Sequence, residues 1–200
     1  MIRFVRVIVR RRRGVCRRSR RAACFGELKN RVFQAESPAA SPQHNLLVTQ
    51  GNLASTYQLV GRLEDALRLR RVVYQGVLQR YGEDSLEANT EALNLALILR
   101  DTGNDPEAKE ILRARIPVAE RSLGRENYVY FRLRWTYAKS LADAADATFD
   151  DLVQAEALLD DTYTRFRRVM GDRHPDTPRI HEILLGIREV LARAPASLHA

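Results

Sequence analysis

Three kinds of side chain in this sequence could carry chemistry: imidazoles and thiols, adjacent carboxylates, and amides and guanidinium groups repeated at a fixed interval. The histidines are His44, His174, His181 and His199, and the cysteines are Cys16 and Cys24. No second Cys/His pair stands at zinc-ligand spacing from the cysteines, so no metal site is expected. His181 and Glu182 are neighbours, and neighbouring side chains on a helix diverge by about 100°, so they make no natural acid–base couple. Glu64-Asp65, Asp150-Asp151 and Asp160-Asp161 fall where helices start or face water, and there carboxylates complement the helix dipole. No phosphate loop, zincin motif or nucleophile elbow is present. These residues point to a binding protein rather than an enzyme, with no cofactor.

The third kind is more informative because it repeats. Asn52-Leu53-Ala54 returns as Asn94-Leu95-Ala96, 42 residues later, and Gly61, Ala66 and Gly82 return as Gly103, Ala108 and Gly124 at the same step. Tyr137-Ala138 stands one further step on, and that unit closes at Met170-Gly171, 47 residues after Gly124. The five extra residues are expected in a longer turn around Ala142–Asp151. A period in this range marks stacked supersecondary units. The units span 42–82, 83–124 and 125–171, with a half unit at 172–194 and a tail at 195–200.

Apolar residues recur at three- and four-residue steps within each unit, so each unit reads as two helices. The expected helices are 42–60, 63–81, 84–102, 105–123, 127–143, 150–170 and 177–193. Ser41-Pro42, Asp105-Pro106 and Thr177-Pro178 each place a capping side chain before a proline that the first helical turn tolerates. Gly61, Gly82, Gly103, Gly124 and Gly171 stand where helices stop and the chain turns with positive φ. Pro117 lies inside the fourth helix and is expected to kink or split it. One helix pair cannot bury both of its apolar faces, whereas a stack of pairs makes a continuous core. Ala54, Ala66, Ala96, Ala108 and Ala138 suit close helix crossings. Leu53, Tyr57, Leu95 and Tyr137 suit the spaces between crossings.

Asn52-Leu53-Ala54-Ser55-Thr56-Tyr57, followed by Gly61-Arg62-Leu63-Glu64-Asp65-Ala66-Leu67, resembles the tetratricopeptide repeat (TPR) consensus. The 42-residue period and the linker Gly171-Asp172-Arg173-His174-Pro175-Asp176-Thr177 resemble the kinesin-light-chain variety of that repeat. The resemblance covers residues 42–193 and implies an all-α fold, an α-α superhelix whose first helices line a concave groove. It also implies that the asparagine five residues before the tyrosine, matched by Asn52 and Asn94, reaches the backbone of a bound peptide. In TPR domains that clamp a C-terminal carboxylate, five polar positions converge. Asn52, Asn94 and Arg132 match three, but Val48 and Thr136 stand where cations are needed, which argues against such a clamp. The sequence has no long heptad run before the repeats, so motor binding is not carried over.

Projecting the repeat onto the first helices puts Asn52, Ser55 and Gln58 on one side, then Asn94, Leu97 and Arg100, then Arg132, Trp135 and Lys139, then Arg179. Amides can pair with both groups of an extended peptide backbone, and arginines can fork onto carboxylates or phosphates. Trp135 is the single tryptophan. It reads either as an interface anchor or as a filler between repeats. The expected partner is a protein or peptide, with an acidic one among the options, held by a scaffold.

Charge divides the chain unevenly. Residues 1–40 hold 12 Lys/Arg and 2 Asp/Glu, and the remaining 160 hold 21 and 23, so a near-neutral body carries a basic arm. The arm, residues 1–40, is read as a disordered or targeting segment, with little apolar surface to bury. Its arginine runs leave three alternatives open: contact with nucleic acid or anionic membrane, an organelle transit peptide, or an untypical extension of a longer repeat array. A further reading makes the chain an accessory segment of a larger protein. Two cysteines are too few for a disulfide framework, which fits a reducing, cytoplasmic compartment. No apolar stretch reaches the length of a membrane span.

Overall fold

A computed structural model describes residues 41–193, and the basic arm and the tail from 194 lie outside the described residues. Seven helices follow one another: α1 (Pro42–Leu59), α2 (Leu63–Tyr81), α3 (Leu86–Asp101), α4 (Asp105–Leu123), α5 (Tyr128–Asp143), α6 (Phe149–Met170) and α7 (Asp176–Ala192). No strand occurs among the described residues. The helices pair as α1/α2, α3/α4 and α5/α6, α7 opens a fourth pair, and each helix packs on the next in the chain. Among the first helices, α3 also meets α5 and α5 meets α7. The second helices lie on the opposite, outer side, where Arg71 of α2 spans to Glu107 of α4 at 2.6 Å. The fold is therefore an α-α solenoid with its first helices turned inward.

Local chemistry sets the ends of the helices. The Ser41, Ser85 and Asn127 side chains accept the backbone N–H of His44, Ala88 and Val129 at 3.4, 3.1 and 2.8 Å. Thr148 and Asp151 form a reciprocal capping box on α6. All five expected turn glycines have φ between 79° and 84°. A side chain would be strained there, so each repeat closes with the same backbone turn.

Several expected details change. Asp105 is the first residue of α4 rather than its cap, so its carboxylate acts on the dipole instead of on an N–H. Thr177 lies inside α7, and its hydroxyl donates to the Gly171 carbonyl at 2.8 Å, so it ties the linker instead of capping the helix. Only two of the five extra residues of the third unit lengthen its turn, at 144–148 against 102–104 in the second unit. The other three lengthen α6, with 22 residues against 19 in α4. Pro117 does not split α4, which runs unbroken from Asp105 to Leu123. It sits on an exposed face, where water can satisfy the carbonyl it leaves unpaired.

The core is one chain of contacts running through α2 to α7, with a smaller cluster of Val73, Val77 and Ala88 between α2 and α3. Ala54, Ala66, Ala96, Ala108 and Ala138 are all buried, as close crossings require. Leu95 is buried, and Tyr57 and Tyr137 pack partly buried against the core. Leu53 departs from its expected place. It is 43% exposed, because no described helix lies against that flank of α1.

Candidate groove and its polar network

The groove candidates divide into open and occupied groups. Asn52 is exposed on α1, and its amide makes no bond to another described residue. Asn94 holds the equivalent place on α3, partly buried, and its Nδ2 donates to Glu91 Oε1 at 3.1 Å. That bond orients the amide and leaves Oδ1 with no described protein partner. These two amides, one repeat apart on inward-facing helices, are the open polar pair of the groove.

Ser55 is buried and does not face a ligand. It donates to the Gly51 carbonyl at 3.1 Å and accepts from Arg70 Nη2 at 2.7 Å. Arg70 comes from α2, is itself buried, and bonds Glu91 of α3 at 2.8 Å. Ser55, Arg70, Glu91 and Asn94 thus form one polar network that joins α1, α2 and α3 and ends at the groove amide. Gly51 lies alongside it, and a Cβ there would meet Arg70 Nη1 at 3.6 Å, an ordinary contact distance.

The cationic candidates already have carboxylate neighbours. Arg100 donates to Asp143 at 2.8 Å, and Lys139 reaches the same carboxylate at 2.6 Å. Gln58 donates to Asp101 at 2.8 Å. Arg132 is buried, lies 3.9 Å from Asp176, and packs its guanidinium over Trp135 at 4.9 Å. Arg179 donates to Asp176 at 2.9 Å and covers Trp135 from 5.5 Å. Arg132 and Arg100 thus each face a carboxylate of the solenoid itself. Of the two readings of Trp135, its burial fits the filler between repeats. It is buried, and one 42-residue step back stands Leu93, also buried, so its place in the repeat is a core place.

Two aspartates organise this end of the groove, and sequence reasoning passed over both. Asp176 is buried and accepts Tyr128 Oη at 2.6 Å. Burial, with the neighbouring carboxylate helping, pushes the Tyr128 hydroxyl up to about 12, against the Arg132 charge, so it stays a proton donor. Asp143 collects Arg100 and Lys139. The signal for Asp143 was present, because Asp101 and Asp143 are one repeat apart, as are Gln58 and Arg100. His174 packs against Tyr128 and Phe166 while its Nδ1 accepts the Asp176 N–H at 3.2 Å, and His181 stacks on Tyr163 at 4.7 Å. Both imidazoles have structural positions. Among the described residues no cluster of histidine, cysteine and carboxylate groups could hold a metal, and no helix is long and apolar enough to cross a membrane.

Comparison with known proteins agrees with this architecture. A family model described as a tetratricopeptide repeat matches residues 92–127, from within α3 through α4 to the following turn. The chain thus carries a repeat of tetratricopeptide type. Among solved structures, the crystal structure of BtubC (BKLC) from P. vanneervenii is similar, with a TM-score of 0.51 and 15% identity. The similarity covers 85% of this chain and 74% of that one, and it bears on the fold alone. No curated protein matches the sequence.

Proposed function

We propose that this chain is a protein-binding scaffold that holds an extended peptide along its first helices, reading the peptide backbone through Asn52 and Asn94. The observation that carries the reading is the equivalence of these two amides: both lie on inward-facing helices one repeat apart, and both have hydrogen-bonding groups that no described residue pairs. Repeats of this type generally mediate contacts between proteins. The period and the 171–177 linker support the kinesin-light-chain-like variety.

Because Arg100, Lys139, Arg132 and Arg179 are engaged by Asp143 and Asp176, recognition rests on neutral backbone pairing more than on charge. The basic arm would add contact with nucleic acid or anionic membrane only from outside this groove. Changing Asn52→Ala and Asn94→Ala together should weaken a partner captured by residues 40–200 roughly tenfold or more, at about 0.5–1.5 kcal/mol per neutral bond, with helical content unchanged. Binding as tight as the parent's, in a folded double variant, overturns the proposal. Weakening that disappears in high salt would instead point to charge recognition, contrary to it.

A further inference from the structure

Among the described residues α1 is the first helix with a bare outer flank. Leu46, Leu53 and Val60 follow one another at seven-residue steps, so they form one stripe, and they are 55%, 43% and 66% exposed. At the equivalent places of α3, Ala88 and Leu95 are buried, and in α5 Tyr130 is buried and Tyr137 partly so. In α3 the cover comes from the second helix of the preceding pair. Ala88 clusters with Val73 and Val77 of α2, and Arg70 of α2 reaches Glu91.

Forty-two residues before α2 lies the stretch 21–39, and its sequence carries the covering pattern. Cys24 takes the place of Ala66 and Ala108, Leu28 that of Arg70 and Leu112, Val32 that of Tyr74 and Ile116, and Ala35 that of Val77 and Ala119. Glu27 breaks the pattern, standing where Leu69 and Ile111 stand, and Pro38 ends it early. Size at the facing positions also compensates. Val77 faces small Ala88, small Ala119 stands at the matching place to large Tyr130, and large Phe166 to small Thr177. At the uncovered step the same two places hold small Ala35 and large Leu46. Packed interiors require such complementarity.

We propose that residues 22–36 of this same chain cover the exposed stripe of α1, as α2 covers α3, with Ala35 opposite Leu46. The stretch 1–40 then divides in two. Its arginine runs end at Arg21, and residues 22–36 take the place of the second helix of a pair preceding α1/α2.

Hydrogen exchange on the full chain tests this. Replacing Leu28→Asp and Val32→Asp should raise amide exchange in α1 about tenfold or more while α5 to α7 keep the parent rate, because stability in such stacks is local. Replacing Arg10→Ser and Arg11→Ser should leave α1 unchanged. Unchanged exchange in α1 of the Leu28/Val32 variant overturns the proposal, as does equal deprotection by the arginine variant. Sedimentation separates the other occupant: a dimer broken by Leu46→Asp but kept by the Leu28/Val32 variant would show a second copy on α1 and overturn it too. A monomer at all concentrations supports it.

Discussion

Replacing Arg70 by leucine isolates what the buried network contributes. One repeat on, the place of Arg70 is held by Leu112, and in the third unit by Leu159, while the place of Glu91 is held by Leu133, and all three leucines are fully buried. The chain therefore shows which residues an apolar version of this layer uses. Arg70→Leu alone strands the Glu91 carboxylate in the core with only the Asn94 amide as partner, which should cost about 3–5 kcal/mol. The double change Arg70→Leu with Glu91→Leu removes both charges and should fall between neutral and about 1–4 kcal/mol more stable than the parent. A gap remains beside Gly51, where the Arg70 guanidinium lay. Adding Gly51→Ala should fill it and contribute roughly 0.8–1 kcal/mol more from helix propensity. Urea unfolding of the parent, both single variants and the double variant gives the coupling energy, provided the denaturant slopes agree. A single-variant cost under about 1 kcal/mol, or a double variant no more stable than Arg70→Leu, would refute the claim that charge pairing rather than volume holds this layer.

Two further outcomes are expected at other elements. Pro117→Ala keeps an exposed position and restores a helical N–H in α4, so the melting temperature should rise by about 3–8 °C in a thermal scan; no rise would mean that α4 gains nothing from regular geometry there. The Asp151 carboxyl is held below the usual carboxylate range, first by the Thr148 hydroxyl and then by its backbone N–H, against the effect of partial burial. Its folded pKa is thus the lower one, so the cap is at full strength above the ordinary carboxylate pKa and is lost as pH falls through the folded value. Amide exchange in the first turn of α6 should increase on acidification below about pH 4, and Asp151→Asn should remove that dependence.

The architecture was legible because two physical constraints repeat in the sequence. Glycines at Gly61, Gly82, Gly103, Gly124 and Gly171 mark backbone turns that side chains resist, and the alanines mark crossings that larger residues cannot enter. Details that depend on competition between neighbours were not legible. Thr177 has a choice between capping α7 and tying the linker carbonyl, and tertiary position decides it. Trp135 was left open between anchor and filler, and the buried Leu93, 42 residues earlier, is the signal that separates the two. The cations of the groove were visible, and Asp143 and Asp176 stand within four residues of Lys139 and Arg179, but their pairing with Arg100 and Arg132, 43 and 44 residues away, needs the stacked repeats.

The bonds from Gln58 to Asp101 and from Arg100 to Asp143, each spanning 43 residues, act as stays between the ends of successive inner helices. They differ in kind. The first has a neutral donor and is exposed, so water competes for it, and α1 and α3 share little other contact. The second joins opposite charges with side chains only 13% and 7% exposed, where added salt screens weakly, and it reinforces a step at which α3 already packs on α5. Compliance along the channel is therefore expected to be graded, with bending easier at the α1 end, next to Asn52, than at the α3–α5 step. A ligand entering the channel would meet a yielding jaw first and a fixed seat second.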